Sequence, residues 1–313
     1  QKMKDMAKRD IEEAGAIGIS FGIEYSPKIT FEEMVEISNA VKDDNVLLSA
    51  HYRSDGPQAV DSIKELIEIS KATNKPMQIA HIGSCSAYGF MRETLDCIDA
   101  AIKEGVDLRA DCYPYEAFST SIGSAVFDEG CFERWNKSYD SILLTEEPYK
   151  GMRCNEELFY KARKEYPKML VVAFVMNEKE VIEALKEPFV YVASDGVYNR
   201  GQGHPRGAGT FPRVLGKYVR DEGHLDLIEA LKKMTLLPAQ RLGLATKGDI
   251  KIGMDGDLVI FNLDTIIDGA DFIEPTKPPK GIEYVIIDGK IALKQNQIVN
   301  NRLGKSIRRN QLF

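Results

Sequence analysis

Through the first two-thirds of the chain, short apolar runs alternate with segments whose apolar residues recur at helical spacing, the pattern of β/α units. Residues 5–15 read as a helix that stops at Gly15, and 17–21 as a strand. Thr30 and Glu33 stand at capping-box spacing before a helix with Phe31, Met34, Val35 and Val41 on its apolar stripe. A strand over 46–50 runs into His51, and a helix over 58–73 puts Val60, Ile63, Leu66 and Ile67 on one face. A strand over 76–80 runs into His81, and a helix over 91–104 carries Leu95, Ile98 and Ile102. The strand 106–110 leads into Asp111-Cys112-Tyr113-Pro114-Tyr115.

The rhythm then breaks. Residues 116–188 hold Trp135, the single tryptophan, and many charges, and β/α order returns only with a strand over 170–174 and a helix over 177–186. Such an excursion between barrel strands reads as a lid over the active face. The run 189–194 ends in Asp195-Gly196, and the Gly-rich stretch 196–214 holds His204-Pro205-Arg206. A helix over 225–235 and a helical turn at 238–242 follow. Beyond Lys247 the texture is short strands around Gly and Asp turns, at 248–250, 257–261, 284–287 and 290–293. The domains expected are therefore 1–246, a β/α catalytic unit with an insertion at about 116–188, and 247–313, a small β part with a solvated basic tail.

Composition narrows the function classes. At 313 residues, 43% apolar, the chain can bury a large core, and a formal net charge of −7 argues against nucleic acid or an anionic membrane as partner. No apolar run approaches a membrane span, and the N-terminus shows no signal-peptide core. Five cysteines without a C-x-x-C pair read as reduced, buried thiols of a cytoplasmic protein.

Only four histidines are present, and two of them stand where apolar runs stop. Imidazoles at His51 and His81, with a carboxylate at Asp195, are the side chains that hold a catalytic divalent metal at the carboxyl ends of barrel strands. Metal-bound water ionises near neutral pH, and a carboxylate can take its proton and pass it to a leaving nitrogen. His204, beside Arg206, reads as a residue that touches the substrate or supports one that does, and His224 as a surface residue. The glycine pairs at 201–203 and 207–209 lack the strand-turn-helix frame of a phosphate loop. Cys85 lacks a spaced base and reads as a spectator thiol.

Taken together, Ser49-Ala50-His51-Tyr52-Arg53-Ser54-Asp55, Ile79-Ala80-His81-Ile82-Gly83-Ser84, Asp111-Cys112-Tyr113-Pro114-Tyr115, Ala193-Ser194-Asp195-Gly196 and Gly203-His204-Pro205-Arg206 resemble the N-acyl-D-amino-acid deacylases (D-aminoacylases) of the amidohydrolase superfamily. Gly15-Ala16-Ile17-Gly18-Ile19-Ser20-Phe21-Gly22 and Ile252-Gly253-Met254-Asp255-Gly256-Asp257-Leu258-Val259 look like that family too. The resemblance implies hydrolysis of the amide of a small N-acylated D-amino acid. It implies zinc, as one or two divalent ions, on His51 and His81, with Asp195 as general acid/base. Arg206, Tyr113 and Ser119 would face the substrate carboxylate, which suits a guanidinium fork.

Two features depart from the family pattern. The lysine that commonly follows the second histidine by two residues is Gly83 here, and the H-x-H pair of the first barrel strand has no counterpart. Matching strands to the family puts 17–21 at about the fourth. The fold expected is α/β: a partial metal-dependent-hydrolase TIM (β/α)8 barrel, about strands 4–8, with the C-terminal part of a small β-sandwich. The sequence thus reads as a piece of a longer protein, with the remaining metal ligands upstream of Gln1. The alternatives are a cyclic-amide hydrolase of the dihydroorotase or hydantoinase type, which would carry a lysine on the fourth strand, and a non-catalytic fragment or assembly subunit. Oligomeric state is left open.

Overall fold

The computed structural model describes residues 1–309; the last four residues of the expected second domain lie outside the described residues. Helix α1 (Lys2–Glu12) leads into β1 (Gly18–Gly22), followed by α2 (Phe31–Asn39), β2 (Leu47–His51), α3 (Ala59–Thr73) and β3 (Met77–Ile79). A short helix α4 (Ile82–Ser86) then precedes α5 (Met91–Lys103) and β4 (Leu108–Cys112). The Thr30–Glu33 capping box forms as the spacing predicts: the Thr30 hydroxyl accepts from Glu33 N–H at 3.2 Å, and the Glu33 carboxylate accepts from Thr30 N–H at 3.0 Å.

The 116–188 excursion contains β5 (Phe118–Ser121), α6 (Cys131–Trp135), β6 (Ile142–Leu144), α7 (Glu156–Glu165), β7 (Leu170–Ala173) and α8 (Glu178–Lys186). It corrects one expectation. The apolar run at 170–174 does not rejoin the parallel sheet. As β7 it is the central strand of an antiparallel sheet of order β5-β7-β6. An apolar run announces burial but not which sheet buries it. Over this small sheet packs an aromatic cluster of Phe118, Phe127, Phe132, Trp135 and Phe159, with ring centroids 5.2–6.2 Å apart.

The next strand, β8 (Val190–Val192), pairs directly with β4, which closes the order β1-β2-β3-β4-β8, all parallel. Five parallel strands with intervening helices are present; among the described residues they form an open sheet, and a complete barrel is not seen. Side-chain parity sets its two faces. Leu48, Ala50, Met77, Ile79, Leu108 and Ala110 are fully buried against the helices, where each large aliphatic contributes about 1.5–3 kcal/mol. The opposite face carries the register row Ser20, Ser49, Gln78 and Arg109, and His51 ends it one pleat higher.

The Gly-rich stretch is more regular than its composition predicts. After the hairpin of β9 (Tyr198–Asn199) and β10 (Gln202–Gly203), α9 (Arg206–Arg213) runs into a π-helical segment Val214–Asp221. The glycines serve close packing, since a Cβ on Gly209 would lie 2.3 Å from the Tyr115 hydroxyl. Helices α10 (Leu227–Met234) and α11 (Leu236–Arg241) complete the α/β part. The rest is one antiparallel sheet, β11 (Leu258–Phe261), β12 (Ile282–Ile287), β13 (Lys290–Lys294) and β14 (Gln297–Ile298), in that order. The strand expected at 248–250 is an irregular bend instead. Among the described residues this part is a single sheet, with no facing second layer of a sandwich. All five cysteines are unpaired; Cys97 is only partly buried, unlike the other four. Among the described residues no helix is long and apolar enough to cross a membrane.

Candidate active site

The carboxyl ends of β1–β4 and β8 open into a cavity of about 500 Å³ lined by Glu24, His51, Asp55, His81, Tyr113, Ser119, Asp195 and Arg206 among others. Six of the seven residues singled out from the sequence therefore meet. The insertion contributes part of the wall, through Phe118, Ser119, Thr120, Val126 and Leu170.

His51 closes β2, and its ring faces that of His81, with Nδ1 of one 3.0 Å from Nε2 of the other. The remaining nitrogens fix the protons. His51 Nε2 lies 2.7 Å from a Glu24 carboxylate oxygen, which can only accept, so Nε2 carries hydrogen. His81 Nδ1 lies 2.8 Å from Ser84 Oγ. That hydroxyl donates to the His81 carbonyl at 3.0 Å and accepts from the Tyr52 hydroxyl at 2.9 Å. Its last lone pair is open to a His81 Nδ1–H, the tautomer that leaves Nε2 bare. In that tautomer two bare nitrogens face each other, an arrangement that repels unless a cation, a proton or a metal ion, lies between them. Burial, with His51 beside it, pushes the His81 imidazole down to about 3, so that ring is a neutral ligand rather than a proton carrier.

The backbone around His81 is bent to this purpose. His81 has φ 37° and Asp195 has φ 46°, both left-handed, a conformation that costs a non-glycine residue about 1–3 kcal/mol. Half-buried Asp111 on β4 anchors the His81 turn, accepting its backbone N–H at 2.8 Å and the Gln78 amide at 2.7 Å.

Asp195 sits past the end of β8, paired with Arg206 at 2.8 Å. Arg206 is 3% exposed in its side chain, donates from Nη2 to the Ser119 carbonyl at 3.1 Å, and lies 4.5 Å over the Tyr113 ring. Its Nε and Nη1, and the Ser119 hydroxyl, are buried with no hydrogen-bond partner among the described residues. Arg206 itself lines the cavity, and a guanidinium there is a group that an anionic ligand can pair with. Asp195 is held on its other side by Gly196, where a Cβ would lie 2.5 Å from the Gly207 Cα in the first turn of α9. Gly196→Ala is expected to push the Asp195 turn away from Arg206 and lower kcat/KM by about 10²-fold, the effect of a ~1 Å misplacement. Steady-state kinetics with a thermal melt of the same variant would check it.

His204 stands apart from the cavity. Its Nδ1 accepts from Arg206 N–H at 3.0 Å and its Nε2–H donates to the Ala117 carbonyl at 3.0 Å. With both nitrogens engaged and the ring fully buried, it braces Arg206 from behind rather than touching a substrate. His224 is half-buried beside Glu222 at 3.1 Å. A Cβ on Gly83 would come 2.9 Å from Met176 Cε and 3.0 Å from Cys112 Sγ, so the family's lysine would need those side chains to shift.

Glu24 and Asp55 are functional-site residues the sequence reading passed over. Glu24 follows a strand end just as His51 and His81 do, and that rule applied to acids finds it. Asp55 is buried, accepting from Trp135 Nε1 at 2.7 Å and from the Arg134 guanidinium, and so ties the insertion to the loop after β2. Burial pushes its carboxyl from the usual 3.8 up to about 6, against the opposing pull of Arg134. Because the folded form holds this proton more tightly than the unfolded chain, the Asp55 contribution to stability falls as pH rises through about 4 to 6. Urea unfolding at pH 4.5 and 6.5 should show that slope flattened in Asp55→Asn.

Comparison with known proteins agrees with this geometry. Residues 181–293 match the amidohydrolase family profile. A D-aminoacylase of Alcaligenes xylosoxydans xylosoxydans is 31% identical over 98% of this chain and 64% of its own length. An N-acyl-D-glutamate deacylase of the same organism is 31% identical over 99% of this chain and 64% of its own. The crystal structure of an N-acyl-D-glutamate deacylase from Bordetella bronchiseptica, with zinc and a phosphonate mimic of the tetrahedral intermediate, superposes with TM-score 0.86 at 30% identity. That match covers 97% of this chain and 65% of the solved one. The chain thus spans about 64% of the length of the curated relatives it matches. Motif, site geometry and fold thus agree in likeness to the D-aminoacylases, and residues 181–293 carry the match to the amidohydrolase family.

Proposed function

We propose that this chain belongs to a metal-dependent hydrolase that cleaves the amide of N-acyl-D-amino acids. The observation that carries the reading is the pair of imidazole nitrogens facing each other 3.0 Å apart, set in one cavity with Asp195 and an unsatisfied Arg206. Two neutral imidazoles with outer nitrogens hydrogen-bonded are a fitting donor set for zinc. Among the described residues no third His, Cys, Asp or Glu joins them in a metal-holding group, so His51 and His81 would hold the ion with donors from elsewhere. The zinc in the Bordetella bronchiseptica relative supports that choice of metal.

A bound divalent ion would supply a nucleophilic water at neutral pH and polarise the acyl carbonyl. This chain's residues do the rest. Asp195 takes the proton from the attacking water and delivers it to the departing amide nitrogen. Arg206 and Ser119 hold the substrate carboxylate, with the Tyr113 ring supporting the guanidinium. The insertion at about 116–188 roofs the cavity, as part of a catalytic unit 1–246, and 247–313 is an appendage to it. The partial-barrel reading, strands 4–8, rests on the five parallel strands. Five unpaired thiols suit a reducing compartment such as the cytoplasm. The cyclic-amide alternative lacks its lysine, since β1 reads Gly-Ile-Ser-Phe-Gly.

Zinc retention tests the reading. The wild-type chain should bind zinc, and His51→Ala combined with His81→Ala should abolish it. A wild-type chain that binds no zinc and hydrolyses nothing when zinc is supplied is a non-catalytic relative instead.

A further inference from the structure

Glu24 lies two residues beyond β1, where its backbone N–H is bonded to the Tyr52 carbonyl at 3.1 Å. The main chain therefore fixes where its side chain begins. That side chain is almost buried, and its Oε2 is 2.7 Å from His51 Nε2. It stands at the nitrogen opposite the one that faces His81, so it acts through His51 and not on whatever lies between the rings.

We propose that Glu24 is a positioning residue that dictates the His51 tautomer and ring angle, and so makes Nδ1 a ligand. The two histidines are set differently. The proton of His81 is placed by a neutral hydroxyl chain, Tyr52 to Ser84, whereas that of His51 is placed by a carboxylate. A carboxylate admits only one neutral tautomer, whereas a hydroxyl can donate or accept. His51 is thus the more firmly directed of the two ligands, and Glu24 is the cause. The consequence for zinc rests on the metal-hydrolase reading above; the tautomer does not.

The test reads both separately. In metal-free protein with ¹⁵N-labelled histidine, at a pH where the imidazoles are neutral, His51 should show a protonated Nε2 and a bare Nδ1. Glu24→Ala should redistribute that proton between the two nitrogens while the His81 signals hold. Its zinc affinity, measured by chelator competition, should fall about 10–100-fold. The near-isosteric Glu24→Gln, which keeps one acceptor, should retain the tautomer more fully and lose less affinity; it decides the matter if the alanine variant fails to fold. A wild-type His51 protonated on Nδ1 would overturn the proposal. So would variants that keep both the wild-type tautomer and the wild-type zinc affinity. If the wild-type chain takes up no zinc, the hydrolase reading falls, and the nitrogen shifts still decide the role of Glu24.

Discussion

Replacing Asp195 with asparagine is expected to lower turnover of N-acetyl-D-methionine by about 10²–10⁴-fold, the range for loss of a general acid/base. The substitution is chosen so that little else changes. Asparagine tolerates the left-handed backbone, here φ 46°, about as well as aspartate does. Its carbonyl can still accept from the Arg206 Nη2 that now pairs with the carboxylate at 2.8 Å. What disappears is the capacity to take a proton from water and return it to nitrogen. The loss should therefore fall on kcat, with KM changed far less. Asp195→Ala should be worse on both counts, because it strains the turn and leaves a buried guanidinium with one partner fewer. An asparagine variant that kept most of the wild-type kcat would remove Asp195 from the chemistry.

Replacing Arg206 with lysine should act on the other kinetic constant. The guanidinium is buried, flat against Tyr113 at 4.5 Å, and carries two donors with no partner among the described residues. Lysine keeps the charge but loses the planar fork and the stacking. Truncating one partner of a buried, charge-assisted pair costs about 2–5 kcal/mol, so KM for N-acetyl-D-methionine should rise by about 10²-fold or more. The same variant should be nearly indifferent to N-acetyl-D-methionine amide, whose carboxylate is masked, and the wild-type protein should handle that amide poorly. If Arg206→Lys weakened both substrates alike, Arg206 would be serving to place Asp195 and not to recognise a carboxylate.

Much of this site is legible in the sequence because strands expose chemistry where they end. His51 and Asp195 each follow an apolar run, and a polar residue at such a point has little to do but face the active surface. His81 shares the pattern, though its final placement depends on a left-handed turn and on Asp111, neither visible locally. Glu24 follows the same rule but is masked by Ile23 and by how common glutamate is on surfaces. Asp55 is different in kind: its partners Arg134 and Trp135 lie about eighty residues away, and no local pattern announces a contact across that distance. The fold shows the same division. The helices α3 and α5 follow from their apolar stripes, whereas β7 reads as a barrel strand because its apolar character is the same whichever sheet it joins. Only pairing with β5 and β6 decides that. In α9 the glycines suggest a loop, yet Gly207 and Gly209 are small so that Tyr198 and Tyr115 can lie against the helix. His204 shows that position in a motif does not set a role, since its hydrogen bonds turn it inward.

The central claim is that His51, His81, Asp195 and Arg206 form part of one amide-hydrolysing site. Release of free amino acid from N-acetyl-D-methionine, set against its L enantiomer, in zinc-supplied and chelator-treated protein, tests it most directly. The account predicts release from the D substrate that depends on zinc and is lost with Asp195→Asn. Release that survives removal of the metal, or no release from either enantiomer by zinc-loaded protein, would contradict it.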